Sequence, residues 1–121
     1  MAIGTLGKLV KNYTSNVTYN NTTITWTINE FSNGLVIGYA DCGAVSASAT
    51  ISGSGGYYSD IQSIPFPIAL TSGIPIAMGS QISFISNIAY NTGNRNVNFR
   101  IVSLNSRQSI MLPTLIVFGV K

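Results

Sequence analysis

The stretch NEFSNGLVIGYADC (residues 29–42) decides the fold class of this chain. Aromatic and β-branched residues lie on both sides of Asn33-Gly34. Asn-Gly is the strongest short signal for a β-hairpin, because a type I′ turn needs positive φ at both central residues. Just upstream, TTITWTI alternates polar and apolar residues, which places Trp26 on an apolar face. These two runs predict an antiparallel hairpin with Trp26 in the core.

The same two-residue period continues outward from this hairpin. AVSASATIS (residues 44–52) alternates Val, Ala and Ile with Ser and Thr, and its small side chains predict a strand packed closely against another sheet or another subunit. SQISFISNIAYN (80–91) and VNFRIVSL (97–104) flank TGNRN (92–96), which predicts a second hairpin with a longer tip. IMLPTLIVFGV (110–120) predicts a further buried or half-buried strand.

Turn residues separate these runs. GSGG (residues 53–56) is predicted to be a flexible loop, since it lacks the lysine and the strand–loop–helix context of a phosphate-binding loop. TSGIP (71–75) is predicted to be a turn. No 3.6-residue period persists, so the predicted fold is all-β, an antiparallel β-sandwich or jelly-roll-like domain of about seven to nine strands.

The composition argues against an enzyme. The 121 residues contain no histidine, which excludes His-based nucleophile arrangements and His-based zinc sites, and they show no phosphate loop or cysteine cluster. The only acids are Glu30, Asp41 and Asp60, whose spacing does not indicate a catalytic pair, so each is predicted to be a solvated surface group. We therefore predict a non-catalytic protein with no cofactor and no metal.

The surface is predicted to be mostly neutral and polar. Charged residues make up 7% of the chain, and Asn, Ser and Thr account for 38 of its residues. The six basic residues give a net charge of +3 without forming a run, so no nucleic-acid partner is predicted, while weak attraction to an anionic wall polymer remains open. No apolar stretch is long enough for a membrane span. The single cysteine, Cys42, is either a small buried hydrophobe, which we favour, or a reactive thiol.

Three segments carry a resemblance to a known family: WTINEFSNGLVIGYAD (26–41), GGYYSDIQSIPFPIALTSGIPIAM (55–78) and LIVFGVK (115–121). In order, they match a Trp strand with a polar-Gly turn and an aromatic strand, a Tyr-Tyr pair leading into a Pro-Phe strand, and an apolar closing strand. The chain resembles the C-terminal receptor-binding head domain of phage and prophage tail fibre or baseplate proteins. The resemblance divides the chain into residues 1–23, an N-terminal arm or linker leading into the first strand, and residues 24–121, a β-sandwich head.

The resemblance implies a homotrimer at the tip of a virion fibre, made in the bacterial cytoplasm and facing outward. Such heads contact other tail proteins and bind host cell-surface saccharides or wall polymers. Two departures stand out. The family often closes with Gly-Arg-Trp-Lys, whereas Gly119, Val120 and Lys121 end this segment, and Gly38 and its neighbours replace a second Trp. If the missing residues contact receptor, this chain binds a different receptor or none.

A saccharide site needs aromatic faces and planar polar groups, and both classes occur near the predicted turns. One of the paired tyrosines is predicted to face the core, and the NTGNRN tip is otherwise a solvated turn. Three hypotheses remain: a host-attachment module, a purely structural trimeric virion or spike-tip protein without a ligand, and a monomeric carbohydrate-binding module. The candidate ligand-binding residues are Tyr57, Tyr58, Tyr90, Asn91, Asn94, Arg95 and Asn96.

Overall fold

The computed structural model describes residues 7–78 and 84–121, and these residues form twelve β-strands and no helix. The predicted all-β class is confirmed. The described strands outnumber the prediction because the middle of the chain is divided into strands of only three or four residues. Within the described ranges no helix is long and apolar enough to cross a membrane. The strands are β1 (Leu9–Tyr19), β2 (Thr22–Phe31), β3 (Leu35–Asp41), β4 (Ser46–Ala49), β5 (Ile51–Gly53), β6 (Gly56–Tyr58), β7 (Gln62–Pro65), β8 (Ser72–Met78), β9 (Phe84–Asn91), β10 (Asn96–Ser103), β11 (Arg107–Met111) and β12 (Thr114–Val120).

The strands form three sheets, and the pairings between described strands are antiparallel. Sheet I has the order β1-β2-β3-β12-β8. Sheet II has the order β5-β6-β10-β7, in which β6 and β7 pair with different parts of one edge of β10. β9 pairs with the other edge of β10, and sheet III pairs β11 with β4. Buried side chains from all three sheets belong to one hydrophobic core.

The hairpin predicted around Asn33-Gly34 is present as β2 and β3, but its turn is not type I′. The amide of Gly34 donates to the carbonyl of Phe31 at 3.1 Å, and Gly34 alone has positive φ, at 89°. This is a three-residue loop that ends in a left-handed residue, the next most common hairpin connection. The Asn33 side chain stabilises it by accepting a hydrogen bond from the Leu35 amide at 3.1 Å.

The N-terminal segment corrects the predicted start of the strands. Residues 1–23 were expected to lead into the first strand, yet Leu9–Tyr19 already pairs along its length with β2. Asn20 and Asn21 connect the two strands with φ of 49° and 59°, the double left-handed geometry of a type I′ turn. The sequence signal was present but faint, because β1 alternates mostly polar residues. Residues 1–6 of the predicted arm lie outside the described ranges.

The core is built around Trp26, as predicted. Its side chain is fully buried, and its Nε1 donates to the carbonyl of Pro65 at 2.9 Å. The Phe66 ring meets it edge to face, with centroids 4.8 Å apart. Cys42 is also fully buried, and burial raises the pKa of its thiol to about 12, which confirms the small-hydrophobe prediction.

Glycines on the inner face of sheet I make room for neighbouring core side chains and backbone. A Cβ at Gly38 would lie 2.8 Å from the Phe66 ring. A Cβ at Gly119 would lie 2.3 Å from Leu70 and 2.9 Å from the Ser72 carbonyl oxygen. Real Cβ atoms do not approach neighbours so closely, so both positions require glycine for a close approach.

The small-residue strand packs inside its own chain. Val45, Ala47 and Ala49 are buried in the core, as the alternation predicts. Ile51 departs from the pattern because it belongs to the next strand and is 38% exposed. The close packing predicted for this segment is therefore satisfied by the chain's own core.

Two segments predicted as a loop and a turn contribute to strands. GSGG is the tight end of the β5–β6 hairpin, where Gly53 pairs with Gly56 and Gly55 has a φ of 88°. TSGIP supplies the start of β8. Pro75 is compatible with this strand because β8 lies at the edge of sheet I, where a missing amide donor leaves no ladder bond unmade. The second hairpin, β9–β10, is confirmed, although residues 80–83 of its predicted first strand lie outside the described ranges.

Glu30 differs from the predicted solvated acid. It is 8% exposed, and its carboxylate accepts hydrogen bonds from the Lys121 ammonium at 2.6 Å and the Tyr13 hydroxyl at 2.5 Å. These two bonds, led by that from Lys121, hold the pKa of Glu30 below its ordinary value of 4.5. The other two acids, Asp41 and Asp60, are exposed as predicted.

This lowered pKa predicts an acid-dependent loss of stability. A group whose pKa is lower in the folded state stabilises the fold above its unfolded pKa, and the contribution disappears as the pH falls through the folded value. Glu30→Gln is expected to cost about 1–2 kcal/mol of folding free energy near neutral pH. It should also make the melting temperature fall less steeply as the pH drops below 4.5, the ordinary pKa of the carboxyl group. Thermal melts of both proteins between about pH 6 and pH 3 measure this. Asp60→Asn, at an exposed acid, should reproduce the wild-type profile, and an unflattened Glu30→Gln profile would contradict the assignment.

Candidate functional site

The outer face of sheet II carries a concave site, and β10 forms its floor. Along β10, Val97, Phe99 and Ile101 point inward and are fully buried. The intervening residues therefore point outward, since side chains alternate along a strand. Asn98 and Arg100 are two of them, and each is only partly exposed.

A break in one neighbouring strand opens the site on its first side. Tyr58 at the end of β6 pairs with Val102, and Gln62 at the start of β7 pairs with Phe99, so residues 59–61 leave the sheet between them. Ser59 satisfies the backbone hydrogen-bonding groups of Ile101 at this gap. Its amide donates to the Ile101 carbonyl at 2.9 Å, and its Oγ accepts from the Ile101 amide at 3.0 Å. The backbone is thus satisfied while the sheet surface is interrupted.

A β-bulge opens the site on its other side. Asn98 pairs with Ala89 and Arg100 with Ser86, so two residues of β9 lie opposite the single residue between them. Asn87 occupies the bulge with a φ of 54°. Non-glycine residues in this region are uncommon, and bulges are enriched beside functional sites, where they redirect side chains.

The break and the bulge face each other across β10 and leave a groove of about 370 Å³. We call this the β10 groove. Its chemistry mixes one aromatic ring, one cation, neutral polar groups and an aliphatic side chain that is 56% exposed, Ile61. The groove is lined by Tyr58, Ile61, Ser86, Asn87, Asn98, Phe99, Arg100 and Val102.

The cation of the groove is held against its aromatic ring. The Arg100 guanidinium carbon lies 5.1 Å from the centroid of the Tyr58 ring, within the range of a cation–π contact. The one ion pair among the described residues joins Lys121 and Glu30, so no described carboxylate neutralises Arg100. The guanidinium is therefore positioned and able to donate to a hydroxyl or an acidic group.

Asn98 contributes an unsatisfied hydrogen-bond acceptor to the groove. Its Oδ1 is buried and accepts no hydrogen bond from any described residue. Such a buried, unsatisfied polar atom costs about 1–3 kcal/mol, and native structures contain few of them. A ligand that donates a hydrogen bond to Oδ1 would recover part of this cost on binding.

In the tip loop that was predicted as a binding site, polar side chains form hydrogen bonds within the loop itself. Asn91 Oδ1 accepts from the amides of Gly93 and Asn94, at 2.9 and 3.1 Å. With its nitrogen facing the loop, the Asn96 side chain donates to the carbonyls of Asn94 and Arg95 at 3.2 Å. Arg95 adopts a φ of 56°, and its carbonyl accepts from the amide of the buried Phe66. The side chains of Asn91 and Asn96 therefore shape the turn, while Thr92, Asn94 and Arg95 are exposed loop residues.

The predicted tyrosines divide between groove and core. Tyr58 lines the groove, whereas Tyr57 pairs across to Ser103 and does not line it. Tyr90 packs edge to face on Phe66, with centroids 5.9 Å apart, and donates its hydroxyl to the Ile68 carbonyl at 3.2 Å. Burial raises the pKa of Tyr90. Of the seven predicted residues, the structure brings Tyr58 alone into the β10 groove.

Asn98 and Arg100 were missed by the sequence prediction, although a signal for them exists. In NVNFRIV the polar residues recur every second position between apolar ones, which places them together on the outward face of one strand. Asn87 and Ile61 had no such signal, since a bulge and a strand break depend on how neighbouring strands pair.

Comparison with known proteins returned no matching family model, no matching curated protein and no matching solved structure. The described residues contain no group of three or more His, Cys, Asp or Glu side chains that could hold a metal ion.

Proposed function

We propose that this protein is a non-catalytic attachment module that binds a saccharide in the β10 groove. The single observation that carries the proposal is the buried, unsatisfied Oδ1 of Asn98 beside the ring-held guanidinium of Arg100. Sugars present many hydroxyl donors and acceptors on a compact ring, which suits a groove that pairs an orphan acceptor with a fixed donor. A negatively charged sugar or wall polymer would gain further from the Arg100 charge.

The biological setting follows the resemblance stated above. We place the module at the tip of a phage or prophage tail fibre or baseplate, as a homotrimer attached to other tail proteins and facing the host surface. The neutral, Asn-, Ser- and Thr-rich composition is compatible with such an external particle.

For the fold, we propose a jelly-roll-like β-sandwich in which sheets I and II face each other across the core. Two side-chain hydrogen bonds between strands of the two sheets support this arrangement. Trp26 in β2 donates to the Pro65 carbonyl in β7 at 2.9 Å, and the Tyr19 hydroxyl in β1 donates to Gln62 Oε1 in β7 at 2.8 Å. In a sandwich the outer face of sheet II, with the β10 groove, remains open to solvent.

Asn98→Ala is the decisive variant for this function. Removing an unpaired buried polar group is expected to leave the melting temperature unchanged or raised, because no residue that the structure describes loses a hydrogen bond to Oδ1. Loss of one ligand hydrogen bond should weaken saccharide binding about tenfold. Both quantities are measured on the purified chain, with an array of bacterial surface polysaccharides, neutral and anionic, as the probe.

Asn94→Ala is the matched control, since Asn94 is an exposed tip asparagine outside the groove. It should bind the array as wild type does. Absence of binding to every array member, or equal binding by Asn98→Ala, would overturn the proposal.

A second candidate function is a purely structural trimeric cap without a ligand, favoured by the exposed apolar residues on the outer face of sheet I. It predicts that Asn98→Ala leaves host adsorption unaltered while assembly stays intact. A monomeric carbohydrate-binding module would instead keep saccharide binding at a solution mass of 12.8 kDa.

A further inference from the structure

The outer face of sheet I is apolar across three adjacent strands. Strand register places Ile37, Phe118 and Ile74 side by side, and the next row repeats the pattern with other large side chains. We call this surface the apolar face, and it consists of Leu35, Ile37, Tyr39, Ile74, Ile76, Met78, Ile116, Phe118 and Val120.

These side chains project into solvent rather than into the core. Ile74 is 68% exposed, Met78 52% and Tyr39 49%. Isolated exposed hydrophobic residues are ordinary, but a contiguous set on a sheet marks an interaction surface. The set includes residues of β8, which is an edge strand and carries none of the lysines that usually protect such edges.

The extent of the apolar face suits the centre of a protein interface. Three strands about 4.8 Å apart and seven residues long, at about 3.4 Å per residue, cover a projected area of roughly 340 Å². A standard interface uses about 800 Å² per partner, with an apolar centre and a polar rim. The outward residues of β2, including Thr25 and Thr27, lie next to the apolar face and supply a neutral rim.

The charge pattern selects the occupant. Among the outward positions of β3, β8 and β12, Asp41 is the only charged residue, and it lies at one end. A face without charges offers nothing for charge complementarity with a different protein. It does allow contact between copies of this chain around a symmetry axis, because no like charges are forced together.

We propose that copies of this chain associate through the apolar face. The inference deepens the homotrimer of the proposed function, on which it rests, by naming the face where the copies meet, and it stands independently of the saccharide site. The inner faces of sheets I and II line the same core, so this contact buries the outer face of sheet I and leaves the β10 groove on sheet II accessible.

Light scattering on a size-exclusion peak tests the association. Wild type should elute at a multiple of 12.8 kDa, and Ile74→Lys should elute as a monomer, because a buried lysine charge would lack a partner in the contact. Lysine is common on edge strands, so the variant is expected to fold. Leu104→Lys is the matched control, since Leu104 is also 68% exposed but lies outside the apolar face, and it should keep the wild-type mass.

A second measurement uses the unsubstituted chain and does not depend on any variant folding. Met78 lies in the apolar face at 52% exposure, and Met111 lies outside it at 42%. In the assembled protein, oxidative footprinting should modify Met78 more slowly than Met111, reversing the order that exposure in the single chain sets. A monomeric wild type, an Ile74→Lys variant that remains assembled, or faster oxidation of Met78 would each overturn the proposal.

Discussion

Trp26→Ala is expected to cost about 3–5 kcal/mol of folding free energy, a large share of the roughly 5–15 kcal/mol that stabilises a typical domain. The substitution removes the largest fully buried side chain of the core. It also leaves the Pro65 carbonyl without its donor and removes one of the two edge-to-face partners of the Phe66 ring. Urea denaturation followed by circular dichroism measures the loss.

Two further variants separate the contributions. Trp26→Phe keeps much of the buried volume but loses the Nε1 donor, so an intermediate loss is expected. Leu104→Ala, at a side chain that is 68% exposed, should change stability by less than about 0.5 kcal/mol. If Trp26→Ala were as stable as Leu104→Ala, Trp26 would not anchor the core.

Gly119→Ala should cost about 3 kcal/mol, the upper end of the range for overpacking, although it adds only one methyl group. The added Cβ would collide with Leu70 at 2.3 Å and with the Ser72 carbonyl at 2.9 Å. The leucine can change rotamer, but the carbonyl belongs to β8, which pairs with β12, so relief requires the two strands to separate. The same denaturation experiment measures the effect.

Gly93→Ala provides the matched control, because Gly93 lies in the exposed tip loop and an added Cβ there meets only the Asn91 side chain, at 3.3 Å. This variant should be near neutral. A Gly119→Ala protein with the stability of the Gly93→Ala protein would show that β8 can shift freely, contrary to the packing described above.

The fold class could be predicted because its signals are local. Alternation and an Asn-Gly pair sufficed to place the central hairpin and Trp26, and both are confirmed. The type of turn could not be predicted from the pair alone, since Asn-Gly, although typical of two-residue loops, also fits the end of a three-residue loop that needs a left-handed residue. β1 escaped notice because two of its three inward hydrophobic residues, Tyr13, Val17 and Tyr19, are tyrosines, so alternation leaves little trace in hydropathy.

The β10 groove could be predicted only in part, for a different physical reason. The two-residue spacing of Asn98 and Arg100 along one strand predicts that they share a face. The groove itself exists because β6 and β7 stop short of each other on one side while β9 bulges at Asn87 on the other. Those two irregularities arise from pairing between distant segments, which a single sequence does not encode in a readable period.

The place of β12 in sheet I has a consequence for how the chain reaches its native state. β12 lies between β3 and β8, although most of the chain separates it from β3. The β1–β2–β3 meander can form early from local contacts. The free edge of β3 stays unpaired, however, until residues 114–120 have been synthesised and inserted beside it. Closure of so long a loop is slow, and it leaves a strand edge available for wrong partners meanwhile. The β3 edge is therefore open to mispairing throughout synthesis, before β12 covers it in the finished sheet.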